Sequence, residues 1–122
     1  MEIDQTSNTD TIRLLEAYRD AAKRHGEAIE SGDHMAAIGS ADLISEVYAE
    51  LRKRGADAQR TLLKLLKDPV AGVRLWSASH ALEFSPEEGE PVLHQLVSTG
   101  SFLAFTAEIT LREWRAGRLQ FP

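Results

Sequence analysis

The 122-residue chain has no cysteine, which removes a disulfide framework, a thiolate zinc site and a thiol nucleophile at once. Long apolar runs are missing too, and no segment approaches the length needed to span a membrane. Residues Met1 to Thr9 are polar and partly acidic, unlike the basic start and apolar run of a signal peptide, so a soluble cytoplasmic protein is expected. No Gly-rich phosphate loop, nucleophile elbow or zinc-protease helix occurs, and no strand signal competes with the helical ones. At this length the chain can form one domain with its own hydrophobic core.

The charge that is present is unevenly placed. The net charge is -5; residues 1–50 hold eleven Asp and Glu against four Lys and Arg, and residues 51–122 hold eight against ten, giving -7 and +2. Much of the basicity falls in a band over 52–74: Arg52, Lys53, Arg54, Arg60, Lys64, Lys67 and Arg74. The overall negative charge weighs against nonspecific phosphate binding.

Apolar spacing and punctuation give about six helices and an all-α fold. The first runs from about Thr9 to Ser31, with Ile12, Leu15, Tyr18, Ala22 and Ile29 as its apolar stripe, after a flexible start over 1–8. Ser31-Gly32-Asp33 supplies a stop and a new N-cap. The second helix reaches about Arg54 with Met35, Ile38, Leu43, Ile44, Val47, Tyr48 and Leu51 inward, so 9–54 forms a long hairpin. A third helix over 57–67 carries Arg60, Lys64 and Lys67 on one face. Asp68 caps a fourth with Pro69 at its first position, and that helix, apolar on most sides, is expected to be central, with Trp76 in the core. Ser85-Pro86-Glu87-Glu88 is a capping box opening the fifth helix. The sixth begins after Thr99-Gly100-Ser101 with Phe102, Leu103, Phe105, Ile109, Leu111 and Trp114, and residues 117–122 are a tail. Leu119 and Phe121 in that tail fold back or pair with another chain, which leaves the oligomeric state open.

Pairs 57–84 and 86–116 repeat with a spacing of 29, aligning Leu63 with Val92, Val73 with Phe102, Ala78 with Ala107 and Leu82 with Leu111. Stacked helical pairs of this kind form an α-α superhelix, with 9–116 as one helical domain and the long hairpin as its cap. The stretch Leu65-Leu66-Lys67-Asp68-Pro69 through Val73-Arg74 to Ala81-Leu82 resembles the HEAT-like repeats of phycobilin-lyase-type proteins. It departs from them in placing His80 where a small residue is usual and Leu82 one position late. With the turn at 26–33 and Arg74-Leu75-Trp76-Ser77-Ala78, the chain also resembles a small bacterial family of helical-hairpin proteins of unknown function. Some members of such families are interpreted as immunity proteins, so the resemblance implies a neutralising binder.

Chemistry is hard to assemble from the remaining residues. Ser77, Ser79 and His80 diverge around one helix and make no nucleophile, base and acid. Glu90 and His94 share a face, but no Glu-x-x-His exists, so the expectation is a surface pair with no metal and no cofactor. Asp68 and Arg74 are expected to order their turn. The candidate partner-binding residues are Asp42, Glu46 and Glu50, spaced four apart on one helix, together with a partly exposed Trp114. Repulsion within that acidic stripe is offset by cations of a neighbouring helix or by a basic partner. The expected function is non-enzymatic protein binding, with a basic toxin as one partner class. The alternative is nucleic-acid binding through an anion site at Arg60, Lys64 and Lys67.

Overall fold

A computed structural model of the chain describes the backbone of residues 2–121 and the side chains of residues 9–121. Met1 and the side chains of the expected flexible start at 1–8 lie outside the described residues. Among the described residues there are no strands. The elements are α1 (Glu2–Ser31), α2 (His34–Lys53), α3 (Ala56–Arg60), a 3-10 helix (Thr61–Lys67), α4 (Ala71–Phe84), α5 (Pro86–Ser98) and α6 (Phe102–Arg115). They fall into two compact units, residues 1–61 and 62–122.

The first unit is a helical hairpin made by local chemistry at its bend. Gly32 takes a φ of 78°, which a side chain resists, and this lets the Asp33 N–H reach the Ala28 carbonyl at 2.9 Å and the Gly32 N–H reach that of Ile29 at 3.3 Å. The Asp33 carboxylate then accepts the Ala36 N–H at 3.1 Å and caps α2. One seam is buried, by Tyr18, Ala21, Ala22 and Ala28 from α1 and Ala37, Ile44, Val47, Tyr48 and Leu51 from α2. Gln59 of α3 donates to the Tyr48 hydroxyl at 2.8 Å, and the Arg52 guanidinium lies 5.1 Å from the Tyr48 ring centre. Burial, and secondarily the neighbouring Tyr48, hold the Tyr18 hydroxyl pKa well above its ordinary 10.0.

That seam is narrower than the apolar pattern suggests. Ile12, Ile29, Met35, Ile38 and Leu43 were all expected inward, yet each is exposed, Met35 to 79%. Alanines of α1 and α2 fill the seam together with Tyr18, Ile44, Val47, Tyr48 and Leu51. Ile12 sits on the opposite side of α1 from Ala21, nine residues and two and a half turns away. Ile29 belongs to the last turn before the bend.

The expected single helix over 57–67 is replaced by α3, which closes the first unit, followed by a 3-10 helix whose residues from Leu62 onward belong to the second. Thr61-Leu62-Leu63-Lys64-Leu65-Leu66-Lys67 repeats a polar residue every third position, which suits three residues per turn. Leu62, Leu65 and Leu66 are buried while Lys64 and Lys67 stay out. The cap of α4 is also displaced. The Asp68 carboxylate accepts the Val70 N–H at 2.9 Å, closing an Asx turn, so α4 starts at Ala71, with Val70 and not Asp68 as its N-cap residue and Pro69 outside the helix. Arg74 clamps the same turn by donating to the carbonyls of Asp68 at 2.7 Å and Pro69 at 3.2 Å.

α4 is buried on most of its circumference, including Ser77 and His80. The Ser77 hydroxyl satisfies itself on the Val73 carbonyl at 2.9 Å. His80, 6% exposed, lies tilted against Trp76 with 6.1 Å between ring centres. Trp76 itself is half-buried and is not part of the leucine cluster, a correction to its expected core position.

α5 starts at Pro86 as expected, although the box is closed differently: the Ser85 hydroxyl lies 2.9 Å from Glu87 and 2.8 Å from Glu88, engaging carboxylates and not a main-chain N–H. α4 and α5 approach closely where Gly89 faces Ala78 and Ala81. Leu66, Leu75, Leu82, Leu93, Leu96, Leu103 and Leu111 fill the core with Ala78 and Ala107, and Leu119 and Phe121 pack back onto it. Of the four aligned repeat positions, Ala78 with Ala107 and Leu82 with Leu111 are buried alike, and Leu63 with Val92 flank the same cluster. Val73 and Phe102 break the match, at 0% and 48% exposure.

Candidate interaction surface

The acidic stripe lies on the outer side of α2. Asp42 and Glu46 are exposed, and among the described residues neither has an ion-pair partner. Glu50 is half-buried and meets Arg54, one turn on, at 3.5 Å; Arg54 also approaches Asp10 at 3.9 Å. The arginine at the C-cap of α2 thus answers one of the three carboxylates, and two remain open.

What sequence reasoning missed is the company this stripe keeps. At 100° per residue, Met35, Ile38, Asp42 and Glu46 fall within about 80° of one another around α2, and all four are exposed. Next to them, between α1 and α2, runs a groove of about 590 Å³ lined by Ala21, Arg24, Glu27, Ala28, Ser31, Asp33, Ala36, Gly39, Ser40 and Leu43. Gly39 lies inside α2, where a glycine costs about 1 kcal/mol relative to alanine, yet a Cβ there would meet nothing within 4 Å. That helical glycine was the available signal.

The basic band has no common helical face. Arg60 ends α3 while Lys64 and Lys67 lie along one edge of the 3-10 helix. Dividing the charges at the structural boundary also removes the basic half. Residues 1–61 hold twelve acids and eight bases (-4) and residues 62–122 seven and six (-1), because Arg52, Lys53, Arg54 and Arg60 belong to the first unit.

In the second unit, Arg115 of α6 reaches Glu90 at 3.2 Å and His94 Nε2 at 2.7 Å, which ties α6 to α5. An arginine is always a donor, so the histidine nitrogen facing it is the acceptor. Among the described residues no three His, Asp or Glu side chains come together as a metal cluster. Trp114 is half-buried against the leucine core, and Phe105 of α6, at 70% exposure, is the more accessible aromatic. Arg118 holds the tail to Glu113 through contacts of 3.1 and 2.7 Å, and that hydrogen bond keeps the Glu113 pKa below its ordinary value.

A family described as a domain of unknown function, DUF2019, matches residues 14–114. The chain belongs to the DUF2019 family. Its match begins within α1 and ends at Trp114, so it extends over most of each compact unit. No curated protein and no solved structure matches the chain. No described helix is long and apolar enough to cross a membrane.

Proposed function

We propose that this DUF2019 chain is a non-enzymatic protein-interaction module that binds a basic partner protein through the outer side of α2. The observation that carries this is the pairing of exposed Met35 and Ile38 with Asp42 and Glu46, which have no ion-pair partner among the described residues. Apolar side chains in water favour burial in an interface, and unanswered carboxylates beside them select a cationic partner and speed its approach. The agreement in burial of Ala78 with Ala107 and Leu82 with Leu111 supports reading the second unit as two HEAT-like hairpins. Toxin neutralisation in the bacterial cytoplasm is the biological role we attach to this module, on the strength of its resemblance to immunity proteins and its acidic surface.

Affinity capture of the tagged chain from its native cells tests the proposal. A stoichiometric protein partner is expected, lost when Asp42, Glu46 and Glu50 are all reversed to lysine while helicity and melting stay nearly unchanged. The second reading rests on the shared edge of Lys64 and Lys67. It gains if nucleic acid is recovered instead, with steep salt dependence, and is lost on neutralising Arg60, Lys64 and Lys67.

A further inference from the structure

We infer that the groove between α1 and α2 receives a single cationic, amphipathic helix of a partner protein, whose backbone passes over Gly39. This rests on the protein-binding reading above and specifies its site and the form of its ligand.

The shape of the groove favours a helix. It follows α1 from Ala21 to Ser31 and α2 from Asp33 to Leu43, a length of about 16 Å at 1.5 Å per residue. Its lining is mostly small, with Ala21, Ala28, Ala36, Gly39 and Ser40, and Leu43, 41% exposed, is its largest apolar side chain. Away from the bend, the main-chain groups of both walls are bonded within their helices. An extended peptide would find few main-chain partners there, whereas a helix brings its own N–H and C=O groups satisfied.

Gly39 adds an independent sign. Where this chain packs two of its own helices closely, it uses a helical glycine: a Cβ on Gly89 would lie 2.6 Å from the Ala78 carbonyl oxygen. Gly39 has the same residue type in the same kind of element but no neighbour, and it opens into the groove. Gly26 is equally open but does not line the groove.

The charge around the groove chooses the occupant. Glu27, Asp42 and Glu46 have no ion pair among the described residues, while Arg24 is engaged by Asp20 at 3.1 Å. A second copy docking groove to groove would set these carboxylates against their own counterparts, and a nucleic acid would meet them with phosphates. Lysine or arginine flanking a small-faced apolar stripe answers them.

The test is site-specific photocrosslinking of the full-length chain in its native cells, with a benzophenone amino acid placed in turn at Leu43 in the groove, Phe105 on α6 and Gln95 on α5. The expected result is one partner adduct from Leu43, mapping to a segment with basic residues three or four apart beside small or apolar ones. Gly39→Leu, which has open space around it and so leaves the hairpin folded, should cut that adduct more than tenfold with circular dichroism unchanged. An adduct from Leu43 to a basic protein that is insensitive to Gly39→Leu would overturn the groove assignment and leave the protein-binding reading of α2 standing; adducts from Leu43 that are only second copies of this chain or segments without cations, or adducts from Phe105 or Gln95 alone, would overturn both. No protein adduct from any position would overturn both.

Discussion

Gly39 in the first unit and Gly89 in the second are both glycines inside helices, and their surroundings are opposite. Around Gly89 the α4 backbone comes so close that a methyl group has no room; a Cβ on Gly39 would meet nothing within 4 Å. In the second unit the glycine is consumed by the fold. In the first it weakens a helix without making room for any described neighbour, and it does so beside exposed apolar and acidic side chains. The two units also differ in their aromatic residues: both tyrosines, Tyr18 and Tyr48, belong to the first, and both tryptophans, Trp76 and Trp114, to the second. Tyrosine absorbance and tryptophan fluorescence therefore report on the two units separately.

The largest difference between the units is expected in alkali. Unfolded Tyr18 ionises near 10.0 while the buried hydroxyl stays protonated, so the unfolded chain binds fewer protons. Stability is complete below that pH and falls as pH rises towards the raised folded value. Tyrosine absorbance should report loss of the first unit before tryptophan fluorescence reports loss of the second, and Tyr18→Phe should move the first transition upward. Simultaneous transitions in the two signals would mean that the units unfold together.

Gly89→Ala comes next, with a loss of about 1–3 kcal/mol from overpacking α4 against α5, read as a lower denaturant midpoint by tryptophan fluorescence. A smaller contrast separates two aspartates that each accept a main-chain N–H. Asp68, 9% exposed, holds Val70, and exposed Asp33 holds Ala36. Asp68→Ala should cost about 1–2 kcal/mol and Asp33→Ala nearer 0.5, measured by urea unfolding. Smallest, and opposite in sign, Gly39→Ala should stabilise the isolated chain by about 0.5–1 kcal/mol. If it destabilises instead, Gly39 serves the hairpin itself and the contrast with Gly89 disappears.

The helix boundaries were the most legible part of the fold, because local chemistry makes them. Gly32 and Asp33 end α1 and cap α2 through contacts within five residues, and Pro86 opens α5 where a missing N–H does no harm. Even the 3-10 helix left a trace in the three-residue period of Thr61 to Lys67, which an expectation of α-helical spacing passed over. The acidic stripe was legible as a spacing, although its division into Glu50, held by Arg54, and the open Asp42 and Glu46 was not. That division depends on which way one arginine turns.

By itself, then, the sequence determined that the chain is helical, where most of its helices start and stop, and which side of α2 carries the carboxylates. Tertiary structure decided which apolar residues are inside. A pair of helices shares one seam, and here alanines fill it together with Tyr18, Ile44, Val47, Tyr48 and Leu51, so Met35, Ile38 and Leu43 are left in water although their spacing alone marks them as core. It also decided what each glycine is for, since the cost of a Cβ depends on the neighbour it meets, and that neighbour is supplied by another helix.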